Sequence, residues 1–181
     1  VGSEMCIRDR VTLNDVSDNG HPFGSARQIS IAGCPVLALR ITYVGELGWE
    51  LHLPIEYAQT IYNTLIEAGS PLGLRNAGYR AIETLRLEKG YRAWSSDIGP
   101  DHTPDEAGLG WAVKMKSNIS FKGREAIAIQ RAEGVKKIMA SFTTDSKVIL
   151  SGRETIYRNG ERCGWLSSAG FGHTIGTVSY T

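Results

Sequence analysis

Residues 40–54, Arg-Ile-Thr-Tyr-Val-Gly-Glu-Leu-Gly-Trp-Glu-Leu-His-Leu-Pro, constrain the fold more than any other stretch of the chain. Two apolar, strand-like runs flank Gly45 and Gly48, and beyond the second glycine apolar and polar residues alternate. Successive side chains of a strand point to opposite faces, so Trp49, Leu51 and Leu53 fall on one side and Glu50 and His52 on the other. That puts a carboxylate on a polar face beside a large aromatic residue. Two readings fit. In one, the rings of Tyr43 and Trp49 line a pocket in which Glu50 meets the edge of a planar, nitrogen-rich ligand. A carboxylate accepts two parallel hydrogen bonds from such an edge, and charge-assisted forks are roughly twice as strong as neutral ones. In the other, the stretch is a β-hairpin whose glycines supply turn dihedrals.

The surrounding pattern is mixed. Runs at 27–31 and 36–43, separated by Ala-Gly-Cys-Pro, predict a hairpin leading into this segment, and a strand over 49–53 ends at Pro54. Over 54–68, Tyr57, Ala58, Ile61, Tyr62, Leu65 and Ile66 recur at the spacing of an amphipathic helix, with Gly69 as its stop. A second helix over 77–89 turns Ile82, Leu85 and Leu87 inward. It carries Arg80, Glu83, Arg86 and Glu88 as a charged surface flank, with Glu83 and Arg86 as an i,i+3 pair. Residues 91–110 read as irregular, the kind of long loop that often carries ligand contacts. A third short helix is expected within 121–131. Strands are expected at 137–143, 155–158 and 162–167, with Asn159-Gly160 as a hairpin turn. The strands beyond residue 136 are too few to close a barrel.

At the other end, residues 11–24 carry turn chemistry and read as a loop anchored by Phe23. Residues 1–10 show neither helical nor strand periodicity and lack an initial methionine, so they are expected to be a non-native tag on a chain truncated at its start.

Composition narrows the partners. A formal charge of +1 from 20 basic and 19 acidic residues argues against nucleic acid or an anionic membrane surface as the ligand. Three cysteines without Cys-x-x-Cys spacing suggest neither a disulfide framework nor a zinc site. His21, His52, His102 and His173 are too scattered for a metal cluster, and no metal ligand is expected. His52 stands apart because it follows Glu50 on the same strand face. The glycine-rich run 170–176 has no helix signalled after it and is not read as a phosphate cradle. With no apolar run near the roughly 20 residues that span a bilayer, the expected setting is the cytoplasm, or the mitochondrial matrix in a eukaryote.

Four ordered motifs then carry a resemblance: Thr-Tyr-Val-Gly-Glu-Leu-Gly-Trp-Glu-Leu at 42–51; Asn-Ala-Gly-Tyr-Arg-Ala-Ile-Glu-Thr-Leu-Arg-Leu-Glu-Lys-Gly-Tyr-Arg-Ala-Trp at 76–94; Thr-Pro-Asp-Glu-Ala-Gly-Leu-Gly at 103–110; and Phe-Lys-Gly-Arg-Glu-Ala at 121–126. Together they resemble the folate-binding half of sarcosine and dimethylglycine dehydrogenases, relatives of the aminomethyltransferase, or T-protein, of the glycine cleavage system. The similarity runs in register from about Val11 to the last residue.

The resemblance implies an α+β fold: part of an aminomethyltransferase-type folate-binding domain over 11–130, followed by an incomplete C-terminal β-barrel over 136–181. It implies that an FAD-containing N-terminal region oxidises an N-methyl amine while the folate domain captures the one-carbon unit on tetrahydrofolate as 5,10-methylenetetrahydrofolate. Glu50 matches the glutamate that grips the pterin edge, Tyr43 the tyrosine seven residues earlier, and Trp111 an aromatic position in the loop after the second helix. Trp111 has an equal alternative as a core tryptophan. No catalytic residue is expected here, since the family's catalytic aspartate lies upstream. No Gly-x-Gly-x-x-Gly unit for FAD is present. The arginine that T-proteins carry in the second helix aligns with Ile82, which favours the dehydrogenase branch. A true T-protein and a non-catalytic regulatory module of the same fold are the alternatives.

Overall fold

The computed structural model describes residues 2–144 and 148–181, and the chain divides into two compact units at Ile82/Glu83. In the first, β1 (Ala26–Ile31), β2 (Cys34–Leu39) and β3 (Glu50–His52) form an antiparallel sheet in that order. The predicted first hairpin is present. Its turn is Ala32-Gly33, with φ of 51° and 78°, the left-handed pair that lets a two-residue reversal follow the twist of its strands. Register puts Ile29 opposite Val36 and Ala38 opposite Leu51, which assembles one apolar face. Against it packs a helix entered through a single 3-10 turn at Ile55–Tyr57 and continuing over Ala58–Gly69. Ile61 of that helix joins Ile31, Cys34 and Val36 in the core, with Leu65 and Ala68 packed beside them. The half-buried sheet and the helical stripe are therefore one hydrophobic solution, each covering the apolar face of the other.

Two expectations fail in this unit, Phe23 as an anchor and the length of the strand from residue 36, and a stretch that reads without periodicity is helical. Residues 2–11 form a helix, α1 (Gly2–Val11), so the sheet-packing helix is α2. Among the described side chains of α1 the apolar contribution to the core is the i,i+4 pair Ile7 and Val11, too short a repeat to stand out as a period. Phe23 anchors nothing and is largely exposed, because a turn closed by Ser25 N–H on the Pro22 carbonyl points it outward. His21 is the residue of that loop that is fully buried. The strand expected over 36–43 stops at Leu39. Beyond Arg40 the Thr42 hydroxyl accepts the Val44 N–H at 3.2 Å, a local side-chain bond that competes with strand pairing and bends the chain.

Helix α3 (Tyr79–Glu88) runs across the division. In the second unit the expected surface flank of α3 is half wrong. Glu83 and Arg86 do pair, Arg86 Nε donating at 3.0 Å, but Arg86 is completely buried. Its Nη1 donates to Asp97 Oδ2 at 2.5 Å and to the Tyr91 carbonyl, and its Nη2 to the Ser168 hydroxyl at 2.9 Å. Asp97 also accepts from Ala93 N–H and from the Ser168 hydroxyl. Burial works against the Arg86 charge, but the Glu83 hydrogen bond and the Asp97 and Glu83 carboxylates outweigh it and hold the guanidinium above its ordinary value.

The irregular segment after α3 is ordered by polar side chains. Thr103 and Glu106 exchange reciprocal bonds, the Glu106 carboxylate accepting Thr103 N–H at 3.0 Å and the Thr103 hydroxyl accepting Glu106 N–H at 3.2 Å. Arg131 grips Asp105 with two bonds of 2.8 Å, and these hold the Asp105 carboxyl below its usual range. Arg131 lies in α4 (Arg124–Glu133), the third predicted helix. Strand β4 covers only Phe142–Thr144, because Met139 N–H is taken by the Glu106 carbonyl. Next come β5 (Thr155–Arg158) and β6 (Glu161–Trp165), joined by Asn159-Gly160 with φ of 54° and 84° as the dipeptide predicted. Strands β7 (Ala169–Gly172) and β8 (Thr177–Tyr180) form a hairpin from the glycine-rich run. The sheets are β4-β8-β7 and β5-β6.

Among the described residues no helix is long and apolar enough to cross a membrane, and no cluster of His, Cys, Asp and Glu has metal-binding geometry.

Candidate functional site

The alternation read from residues 49–53 holds in three dimensions. Leu51 and Leu53 pack against the core, while Glu50 and His52 project from the opposite face of β3. Across that face Glu50 pairs with Leu39 and His52 with Leu37 of β2, so the carboxylate is flanked by two leucines. Its side chain is 54% exposed, and the open face sets this: the sheet is covered by α2 on its other side. Glu50 Oε2 lies 3.3 Å from His52 Nε2, the i,i+2 neighbour that strand geometry places beside it. Chemically this is an anionic hydrogen-bond acceptor standing on an apolar platform.

The aromatic partners are arranged otherwise than expected. Trp49 faces the core side, bordering a hollow of about 310 Å³ with Ile29, Ile31, Leu51 and Leu65. Arg40 holds it there, its guanidinium carbon 4.4 Å from the indole ring centre. Arg40 also donates to the Gly48 carbonyl at 3.3 Å and to Asp18 at 3.0 Å, and it is 7% exposed. It thereby ties the 40–49 loop to the 12–25 loop two residues before Glu50. Sequence reading passed over this clamp; the signal was a charged residue interrupting an apolar run just ahead of a tryptophan. Tyr43 lies in that loop and is 38% exposed. Trp111 belongs to the second unit, in a 3-10 turn at Gly110–Ala112, and at 77% exposure it is not a core tryptophan. The structure thus brings Glu50 together with His52.

The GCVT N-terminal domain model matches residues 4–117, more than half of the chain. The chain belongs to the GCVT family. The glycine cleavage system aminomethyltransferase T of Bartonella henselae superposes with a TM-score of 0.72 at 28% identity, covering 80% of this chain and 40% of that one. Human mitochondrial sarcosine dehydrogenase is 45% identical over 179 residues, 98% of this chain and 20% of its own length. Mouse mitochondrial dimethylglycine dehydrogenase is 36% identical over 171 residues, 93% of this chain and again 20% of its own length. The GCVT chain therefore spans about a fifth of these dehydrogenases. Its α+β structure, with small sheets, matches that of the aminomethyltransferase.

Proposed function

We propose that this GCVT chain is the tetrahydrofolate-binding portion of a sarcosine or dimethylglycine dehydrogenase-like enzyme, with Glu50 as the group that recognises the pterin. The observation that carries the reading is the Glu50 carboxylate on the open face of β3, flanked by Leu37 and Leu39. An acceptor beside apolar side chains suits a flat heterocycle whose edge donates N–H and whose ring covers hydrocarbon. Tyr43, in the loop ahead of Glu50, is proposed as a further contact of the folate. Tetrahydrofolate supplies the amine nitrogens that take up a one-carbon unit as 5,10-methylenetetrahydrofolate. What the chain contributes is orientation: holding those nitrogens where a one-carbon donor arrives converts an encounter in solution into a local event.

FAD and the oxidation of the methylated amine are assigned to the remainder of such a protein, and no residue of this chain is given a catalytic role. The strands beyond residue 136 are taken as the opening of the C-terminal barrel. The setting is the mitochondrial matrix in a eukaryote, a reading supported by the word mitochondrial in the names of the human and mouse relatives, or the cytoplasm otherwise.

The likeness to the aminomethyltransferase structure supports a second reading, transfer of an aminomethyl group without flavin. Ile82, where the T-proteins carry arginine, weighs against it. Flavin content and N-methyl amine oxidation by the intact protein separate the two. For the site itself, Glu50→Gln is expected to weaken tetrahydrofolate binding by at least about 1 kcal/mol, the lower end for a hydrogen bond to a charged group. Calorimetry on the intact protein reads this directly, and an unchanged affinity refutes the assignment.

A further inference from the structure

We propose that His52 governs how strongly Glu50 holds its ligand, so that affinity at this site falls as the pH is lowered. The proposal rests on the folate reading above and adds its regulation. Strand alternation puts the two side chains on one face, and the imidazole Nε2 stands 3.3 Å from Glu50 Oε2 with both groups more than half exposed. Among the described residues His52 is the one hydrogen-bond or ion-pair partner of that carboxylate. It therefore occupies an oxygen that the N–H edge of a ligand needs for a two-bond fork.

The effect of charge has a definite sign. A neutral imidazole offers Oε2 at most one uncharged hydrogen bond, and in its other tautomer none. A protonated imidazole donates a charge-assisted bond and offsets the anion, which weakens the carboxylate as an acceptor for anything else. Acid supplies the proton that makes an imidazole cationic, so acidification moves the pair toward the occupied state. Among the described residues His52 has no ion-pair partner other than Glu50. Leu37 pairs with His52 across from β2, and the hollow that His52 borders is also lined by Ile55 of the 3-10 turn and by Tyr62 of α2, whose hydroxyl accepts a bond from Asn76 at 2.7 Å.

The test is tetrahydrofolate binding to the intact protein, by calorimetry at pH 6 and pH 8, for wild type, H52Q, H52K and E50Q. Wild type is expected to bind about threefold more weakly at pH 6, in keeping with the modest strength of exposed pairs. H52Q keeps its pH 8 affinity at pH 6, while H52K, whose charge is fixed, binds weakly at both. An equal acid loss in H52Q and wild type, an affinity of wild type that does not change with pH, or H52K binding as tightly as wild type at pH 8 overturns the proposal. E50Q separates this from the underlying reading: if E50Q binds weakly while the His52 variants behave like wild type, the folate assignment stands and the role of His52 falls. If E50Q binds like wild type, the folate assignment falls and takes the proposal with it. Matching thermal melts confirm that these exposed substitutions leave the fold intact.

Discussion

The two units of this chain build the centres of their interiors differently. Around the β1-β2-β3 sheet the core is made of Val11, Ile31, Cys34, Val36 and Ile61, side chains whose burial is non-directional and tolerant of small shifts. The second unit buries Leu87, Ala107, Leu166 and Val178, but among its most completely enclosed groups are Arg86 and Asp97. An apolar core loses stability roughly in proportion to what is removed. A buried ion pair behaves asymmetrically, because removing one partner strands the other charge in a medium that cannot solvate it. The first unit should therefore respond to mutation gradually and the second abruptly.

That contrast can be broken or sharpened by substitution. The largest effect is expected for Asp97→Asn, at about 3 to 5 kcal/mol of stability in denaturant titration, since Arg86 loses its buried counter-charge. The double change of Arg86→Met with Asp97→Leu should recover most of that loss. A double variant no more stable than the single one would show that the Ser168 and Tyr91 hydrogen bonds, rather than the stranded charge, set the cost. In the first unit, Ile61→Ala is expected to lose about 2 to 4 kcal/mol by leaving a cavity against β2. A loss larger than that of Asp97→Asn would reverse the comparison. The smallest effect is a gain. Ala32 has a φ of 51° in the β1-β2 turn, and Ala32→Asn should stabilise the protein by about 1 kcal/mol by placing a residue that tolerates that region. A shift of the melting temperature upward checks it.

Glu50 and His52 lie in the gradual unit, and this suits their proposed role. Glu50 and His52 stand on the uncovered face of β3, so changing them leaves the packing of Leu51 and Leu53 on the other side untouched. Binding at this face can therefore be dissected without dismantling the sheet.

Much of this was legible in the chain itself. The alternation at 49–53, the stripe of Ile61 and Leu65 on α2, and the turn dipeptide Asn159-Gly160 all report local geometry. A strand or helix assigns faces to residues two, three or four apart whatever lies beyond them, and asparagine and glycine accept positive φ in any setting. The family motifs likewise sit in contiguous runs. What local pattern does not contain is which distant group a side chain will meet. Arg86 reads as a surface charge on a helix until Asp97 and Ser168 enclose it. Trp49 was given the right side of its strand by alternation. Only the Arg40 guanidinium, held by Asp18 and Gly48, decided that its ring would close a loop rather than line a pocket with Tyr43. The burial of His21 and the seating of Ile7 and Val11 are of the same kind. Each is settled by neighbours from elsewhere in the chain, because burial and electrostatic pairing depend on what surrounds a group in space, and a sequence period records only what surrounds it along the backbone.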